Sequence, residues 1–301
     1  MILVTGASGN VGAVVARELR AVGADVRLGA RSPALDAADE VEFDFTDPGT
    51  WAGAFDGVTS MFLVRPPAIG NVSRDLLPAV AAARDAGVEH VVFLSLQGAE
   101  KNKVVPHATV EAWLRASGLT WTFVRASFFH QNLSTTHVSD VRDRDEILVP
   151  AGKGATAFVD AEDVGAVAAA ALLDPARHRD RAWTVTGPRA LTYGQVAEIL
   201  TAELGRPIRY PRPGALRYVR HARRTLGMPW GMVAVTTAIY TTARLGLAAG
   251  LTDDVRTVLG REPIDFTAFA HRERDAWNPN RTAPQTGGSR ATGTDDPEDT
   301  P

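Results

Sequence analysis

The first twelve residues constrain the fold more than any other part of the chain. A short apolar run over residues 2–5 is followed by a glycine-rich stretch, and apolar residues at helical spacing continue over residues 11–21. The stretch has the spacing G-x-x-G-x-x-G and contains Gly6, Ser8, Gly9, Asn10, Val11 and Gly12. Such glycines let the chain turn tightly, let the backbone approach a pyrophosphate, and let the helix pack close to the strand. We therefore predict a nucleotide-binding βα unit at the start of the chain.

Strand-like and helix-like segments alternate over the first 125 residues. The strand-like runs cover residues 2–5, 25–30, 41–45, 59–65, 90–95 and 119–125. Helix-like segments around residues 49–55, 76–86 and 109–116 lie between several of them. Parallel strands joined by helices form right-handed crossovers, so the pattern predicts an α/β fold with a Rossmann-like, doubly wound parallel sheet. The nearly continuous apolar run at 90–95 is typical of a central strand buried on both faces.

The pattern changes after about residue 135. An alanine-rich, helix-like stretch covers residues 161–173, a strand-like run covers 181–187, and Thr192 with Gln195 forms a capping box for a helix over 193–204. We expect a nucleotide-binding domain over residues 1–135, onto which segments near 155–190 pack back. A smaller, mostly helical substrate lobe is expected over 136–277. The polar stretch 278–301 has no large apolar residue and is expected to be disordered.

Composition excludes several classes of site and partner. The chain contains no cysteine, which excludes disulfides, thiolate catalysis and cysteine-held metal. Its seven histidines show no H-x-x-x-H spacing, so no metal site is expected. The 32 basic and 35 acidic residues give a net charge of −3, which argues against nucleic acid or an anionic membrane as the main partner. Without a signal-peptide pattern, the expected location is cytoplasmic.

One long apolar run requires a separate interpretation. Residues 226–251 are largely apolar, but Pro229, Arg244 and several threonines interrupt the run. An arginine at a bilayer centre is costly, and no long uninterrupted apolar span compensates for it. We therefore expect a buried core helix here rather than a membrane span.

The end of the second strand indicates which nucleotide is bound. A free ribose 2′-hydroxyl is usually met by Asp or Glu at this strand end, whereas a 2′-phosphate is met by Arg. Arg31 and Ser32 occupy the position, and the next acidic residue is Asp36. NADPH is therefore the expected cofactor, with NAD as the alternative.

Beyond the glycine loop, several blocks of the sequence resemble one family. VTGASGNVG at 4–12, VEFDFTDPGTW at 41–51, MFLVRPP at 61–67, HVVFLSLQGAEKN at 90–102 and FVDAEDVGAVAAAAL at 158–172 occur in a characteristic order. With the block at 110–133, VEAWLRASGLTWTFVRASFFHQNL, they are similar to the NmrA-like branch of the atypical short-chain dehydrogenases/reductases. The resemblance covers roughly residues 1–277.

The resemblance implies an arrangement of the cofactor site. It places the adenine near the end of the third strand and lays the loop after the fourth strand along the cofactor. It brings the segment after the sixth strand to the nicotinamide and the substrate. The residues at these three places are Asp44 and Phe45; Val64, Arg65 and Pro66; and Ser127, Phe128 and Asn132.

The usual catalytic pair of short-chain dehydrogenases is missing. These enzymes carry Tyr-x-x-x-Lys, but all four tyrosines of this chain lie downstream of residue 190, and Lys103 with His107 holds the corresponding spacing. His107 is the candidate proton donor near neutral pH, or else it hydrogen-bonds the cofactor or simply begins a helix. Ser95 and Asn132 are the other catalytic candidates. Glu111 is expected on the helix surface or as a loop anchor.

Two functions follow from these residues and the resemblance. The first is an NADPH-preferring oxidoreductase that transfers hydride to a small electrophilic substrate such as a quinone, azo compound, enone or imine. The second is a non-catalytic NAD(P) sensor that acts through a protein partner. Seven arginines and one histidine without an acid over residues 206–224 would suit an anionic partner, or form a solvated helix face paired with acids elsewhere. The sequence assigns no oligomeric state.

Overall fold

Ten strands form two sheets in the computed structural model, which describes residues 1–34 and 37–279. The strands are β1 (Ile2–Thr5), β2 (Val26–Ala30), β3 (Glu40–Glu42), β4 (Ser60–Leu63), β5 (His90–Leu96), β6 (Thr120–Ala126), β7 (Phe128–Phe129), β8 (Ala155–Val159), β9 (Arg181–Val185) and β10 (Ala190–Thr192). The stretch expected to be disordered lies outside the described residues, apart from Asn278 and Pro279.

Thirteen α-helices accompany these strands in the described part of the chain. They are α1 (Asn10–Ala21), α2 (Trp51–Phe55), α3 (Val72–Asp75), α4 (Leu77–Asp85), α5 (Pro106–Ala116), α6 (Val138–Arg144), α7 (Ala161–Leu173), α8 (Pro175–His178), α9 (Tyr193–Leu204), α10 (Ala215–Arg224), α11 (Trp230–Arg244), α12 (Asp254–Leu259) and α13 (Phe266–Glu273). The capping box predicted at the start of α9 is confirmed, with both of its hydrogen bonds formed.

The larger sheet has seven parallel strands in the order β3-β2-β1-β4-β5-β6-β9. This order confirms the predicted Rossmann-like fold. β5 lies inside the sheet, and its residues Val91, Val92 and Phe93 have no solvent exposure. The strand order changes direction between β1 and β4, and a crevice at the carboxyl ends of strands at such a point is where ligands bind in this class of sheet.

Two helices pack closely against one face of the larger sheet. A Cβ atom added to Gly165 of α7 would lie 2.5 Å from Cβ of Val14 in α1, so this contact requires a glycine. The small alanines and valines of α7 and α1 share one core with the inward side chains of β1, β4, β5 and β6. This packing fixes the first turn of α1 relative to the sheet.

The smaller sheet, in the order β10-β8-β7, was not predicted as a unit. β7 has only two residues and β10 three, and their partners are distant in sequence, so periodicity alone could not indicate the pairing. The sheet belongs to a second core, which contains Tyr218, Phe266, Phe269 and Trp277. After β8 and α7 the chain returns to the larger sheet, where β9 pairs with β6.

The expectation of a buried core helix within residues 226–251 is wrong for most of its surface. Val233, Tyr240 and Ala243 of α11 are buried, but Trp230 is 66% and Val235 54% exposed. The mixture of small residues and threonine along α11 made its buried face difficult to predict, because the helix packs through only one narrow side. No helix in the described residues is long and apolar enough to cross a membrane.

Candidate active site

The glycine-rich loop forms a tight turn between β1 and α1. Gly6 has a φ of +64°, and its carbonyl accepts a hydrogen bond of 2.9 Å from the Gly9 amide. A Cβ atom added to Gly12 would lie only 2.1 Å from the Gly6 carbonyl oxygen. Gly6 therefore provides the left-handed turn, and Gly12 allows the helix backbone to approach the loop.

The first turn of α1 is left open at the edge of the sheet. Gly9 is the N-cap residue, so no side chain caps the helix, and Ser8, Gly9 and Asn10 are exposed. The Val11 side chain is buried, and it anchors the first turn of α1 in the core. Uncapped amide groups and the positive end of the helix dipole together form an anion site.

Arg31 and Asp44 lie near each other at the ends of β2 and β3. Arg31 is exposed, whereas the Asp44 carboxylate accepts two hydrogen bonds of 2.7 Å from the amide and hydroxyl of Thr46. These bonds, and then the nearby charge of Arg31, lower the pKa of Asp44. The Phe45 ring is buried and packs edge-on against Phe43, with centroids 4.8 Å apart, so this ring belongs to the core.

The loop after β4 is tied to the end of β1. The amide of Val64 donates to the Thr5 hydroxyl over 3.0 Å, and Pro66 follows two residues later. Nη1 of Arg65 donates to the carbonyl of Ile69 over 2.7 Å, but its buried Nε has no partner among the described residues. Burial lowers the pKa of Arg65.

His107 lies in the first turn of α5, beside Phe93 of β5. The two rings are stacked with centroids 5.9 Å apart, and the buried Nδ1 of His107 has no hydrogen-bond partner among the described residues. Burial, followed by the positive charge of Arg65, lowers the pKa of His107 to about 4. The imidazole is therefore neutral at physiological pH, which corrects the expectation that it titrates near neutrality.

A buried ionic cluster lies one turn further along α5. Glu111 is 1% exposed and accepts hydrogen bonds from Ser95 over 2.7 Å and from Arg125 over 2.9 and 2.7 Å. Burial alone would raise the pKa of Glu111, but the bonds from Arg125 and Ser95 hold it below its usual value. The surface interpretation of Glu111 is wrong, because it links α5 to β5 and β6. The Ser95 hydroxyl donates within this cluster.

The remaining candidates, in the segment after β6, differ in their exposure to solvent. Ser127 is buried; its amide donates to the Val185 carbonyl over 3.1 Å, and its hydroxyl has no partner in the described structure. Phe128 is half-buried in β7, where it pairs with Phe158. Asn132 is exposed at the end of a short 3-10 helix.

Among the described residues, three unpartnered buried atoms belong to residues that follow neighbouring strands of the larger sheet. Arg65 follows β4, His107 begins the helix after β5, and Ser127 follows β6, and β4, β5 and β6 are neighbours in the sheet. Each carries a buried nitrogen or oxygen without a partner in the described residues. Because buried polar groups are almost always satisfied, each of these atoms is available for a hydrogen bond to a ligand or to water.

One polar cluster beside the glycine loop was missed from the sequence. A cavity of about 220 Å³ is lined by Asn10, Gln131 and Arg272, among others. Asp160, which is fully buried, accepts hydrogen bonds of 2.8 Å from both Gln131 and Arg272. Asp160 could have been found as the N-cap of α7, but nothing in the sequence indicates that Arg272 reaches it from α13. Among the described residues, no group of three or more His, Asp or Glu could hold a metal ion.

Comparisons with known proteins identify the family of the chain. A model of the NmrA-like family matches residues 1–223. An NAD(P)H azoreductase from Xenophilus azovorans is 34% identical, covering 90% of this chain and 96% of that protein. A (4-alkanoyl-5-oxo-2,5-dihydrofuran-3-yl)methyl phosphate reductase from Streptomyces griseus is 33% identical, covering 93% of this chain and 100% of that protein.

A solved structure shows the same fold. The NADPH-dependent quinone oxidoreductase from Escherichia coli, solved with NADPH, superposes with a TM-score of 0.81 at 22% identity. The match covers 92% of this chain and 100% of the quinone oxidoreductase.

Proposed function

The chain belongs to the NmrA-like family, and from this premise we propose that it is an NADPH-dependent oxidoreductase. Its substrate is a small electrophilic organic molecule that accepts hydride, such as a quinone, azo compound, enone or imine. The observation that carries the proposal is the set of unpartnered buried atoms of Arg65, His107 and Ser127 at the carboxyl edge of β4 to β6.

The residues at this edge fit the parts of NADPH. The open first turn of α1, at Asn10 and Val11, would hold the pyrophosphate, because Gly6 turns the chain and Gly12 lets the start of the helix pack against the loop. Arg31 would meet the 2′-phosphate, and its exposed position leaves the guanidinium free to do so. Asp44 would lie on the adenosine side.

The other end of the site suits the nicotinamide and the acceptor. Bound NADPH supplies a hydride, so the protein has to position the acceptor and meet the charge that develops on it. Neutral His107 offers a ring nitrogen for a hydrogen bond, and the nearby guanidinium of Arg65 provides positive charge in a partly desolvated place. Ser127 would bind the cofactor or acceptor with its free hydroxyl.

The absence of a catalytic tyrosine favours acceptors that need little acid assistance. All four tyrosines lie in or after α9, and burial raises the pKa of both Tyr193 and Tyr240 above the usual value. A ketone needs a strong proton donor at its oxygen, whereas quinones, azo bonds and conjugated imines accept hydride more readily. The named azoreductase and dihydrofuranone phosphate reductase among the relatives support this substrate class.

The test is NADPH consumption with a panel of acceptors. Purified protein is mixed with NADPH and, separately, with quinones, azo dyes, enones and cyclic imines, and the absorbance of the reduced nicotinamide is followed. We expect turnover above the uncatalysed rate with at least one class. Tight NADPH binding without turnover of any acceptor would refute the oxidoreductase and favour the sensor.

A variant tests the part assigned to His107. His107→Ala should lower kcat while leaving the dissociation constant of NADPH nearly unchanged, because the ring lies at the acceptor end of the site. His271→Ala is a matched control, since this histidine is exposed on α13 and its ring bonds to Glu203. Equal kcat values for His107→Ala and the parent would remove His107 from the reaction.

A further inference from the structure

One long segment of the substrate lobe carries positive charge only. Residues 204–252 contain eight arginines and neither aspartate nor glutamate. The net charge of −3 for the whole chain is therefore unevenly distributed, and this region is strongly basic. What neutralises this region decides whether the lobe attracts anionic partners.

Part of this charge is balanced within the described structure. Arg206 pairs with Asp145, and both Arg209 and Arg217 pair with Glu146. For these three arginines, the expectation of basic residues paired with acids elsewhere in the chain is therefore correct. The later arginines of α10 differ.

Three arginines at the end of α10 have no carboxylate partner among the described residues. We call Arg220, Arg223 and Arg224 the α10 basic face. Arg220 and Arg224 are exposed and lie one helical turn apart, whereas Tyr218 and Ala222 turn into the core. The guanidinium of Arg223 lies 4.9 Å from the ring centroid of Trp230, the most exposed of the six tryptophans.

The chain itself contains an anionic segment of matching character. Four of its last seven residues are acidic, namely Asp295, Asp296, Glu298 and Asp299. Only two basic residues, Arg281 and Arg290, precede them after residue 279. Blocks of like charge commonly bind an oppositely charged surface.

The point at which this segment leaves the described structure is close to the basic region. Trp277 is fully buried, and its carbonyl accepts a hydrogen bond of 3.0 Å from Arg206, the first arginine of the acid-free segment. The first acid, Asp295, lies 16 residues beyond Pro279, and this stretch could span at most about 53–58 Å when extended. Reach is therefore no obstacle, and tethering gives the acidic residues an effective concentration of about the millimolar range.

We propose that the acidic segment 295–299 binds the α10 basic face of the same chain. Opposite charges draw the two together, and the tether removes most of the entropy cost of meeting. A second copy seated face to face on the same surface would bring arginine against arginine, which disfavours that occupant. Bound in this way, the segment shields the face from other anions.

The absence of cysteine allows a direct test on the full chain. Thr300→Cys introduces a unique thiol, which is labelled with bimane, a fluorophore that tryptophan quenches on close contact. We expect the label to be quenched by Trp230 at low ionic strength. Raising the salt from about 0.05 M to about 0.5 M shortens the screening length several-fold and should restore the emission.

Charge variants distinguish the proposed contact from general quenching. Arg220→Glu combined with Arg224→Glu should relieve the quenching, and so should Trp230→Phe. Arg179→Glu is the matched control, because Arg179 is exposed outside the acid-free segment, and it should leave the quenching unchanged. Replacing the four acids of segment 295–299 with lysine in the Arg220→Glu, Arg224→Glu variant should restore the quenching, because the two charges are then exchanged.

Three results would overturn the proposal. The first is emission that Trp230→Phe leaves unchanged, which places the segment elsewhere. The second is quenching that persists in the charge-reversed variant, which excludes the arginines. The third is quenching that disappears on dilution, which assigns the contact to a second copy of the chain.

Discussion

Replacing Gly12 by alanine tests the assignment of the glycine loop most sharply. The new Cβ atom would lie 2.1 Å from the Gly6 carbonyl oxygen and 2.6 Å from the Gly6 carbonyl carbon. Since non-bonded carbon atoms normally lie about 3.5–4.0 Å from their neighbours, the helix start and the loop must separate by roughly 1 Å or more. Both groups are backbone, so no side-chain rotation can relieve the clash.

Two consequences follow from this separation. Overpacking of this kind costs about 1–3 kcal/mol of folding free energy, so we expect a melting temperature lower by about 2–10 °C. The amides of the first turn of α1 also move away from the pyrophosphate. Losing one hydrogen bond to a charged group, worth about 1.5–3 kcal/mol, weakens NADPH binding by roughly 10- to 100-fold.

The assay combines thermal unfolding with a titration of NADPH followed by its fluorescence. Gly53→Ala is the control, because Gly53 lies in α2 with nothing within 4 Å of an added Cβ atom. It should bind NADPH normally and gain about 0.5–1 kcal/mol, as alanine generally does over glycine in a helix. If Gly12→Ala matches Gly53→Ala in both measurements, the loop does not hold the cofactor as argued.

Three further predictions concern the ends of the site and its support. Arg31→Glu should raise the KM for NADPH at least tenfold and change the KM for NADH much less, because it removes the charge meant for the 2′-phosphate; equal effects on both nucleotides would disprove this role. Glu111→Ala removes one of the two carboxylates that pair with Arg125, leaving Glu100 at 3.2 Å, and should cost about 1–3 kcal/mol in urea unfolding, whereas a cost below about 0.5 kcal/mol would show that the cluster does not link β5, β6 and α5. The pKa of His107 is about 4 in the folded chain and 6.5 in the unfolded chain, so between these values the unfolded chain binds a proton that the folded chain does not. The free energy of unfolding should therefore fall as the pH drops from 6.5 to 4, by at most about 3 kcal/mol. In pH-dependent unfolding, His107→Gln should show a shallower decline. An unchanged pH dependence in this variant would place the titration elsewhere.

The features predicted correctly from the sequence depend on local rules. The glycine spacing was informative because the loop geometry is local: Gly6 makes the left-handed turn, and Gly9 and Gly12 both lie against the Gly6 carbonyl oxygen. The capping box at Thr192 and Gln195 is likewise complete within one helical turn. The six strand-like runs of the first 125 residues all appear in the parallel sheet, since short apolar runs bounded by turn residues are typical of buried strands.

The wrong predictions concern which residues pack against a helix. Glutamate is usually a surface residue, so Glu111 was expected on the surface. It is buried because Arg125, from the neighbouring strand β6, pairs with its carboxylate. The apolar composition of α11 indicated burial, but the fold supplies partners for only one of its faces. Periodicity identifies an apolar side; it does not determine what covers it.

By itself, the sequence determined the Rossmann-like fold, the position of the glycine-rich loop and the family resemblance. These properties are encoded in local conformation and in the order of segments along the chain. Only the tertiary structure decided that, among the described residues, Arg65, His107 and Ser127 carry buried atoms without a partner, that His107 is neutral, and that the end of α10 has no carboxylate partner. Burial, hydrogen-bond satisfaction and charge pairing depend on residues brought together from distant segments, and those contacts exist only after the chain has folded.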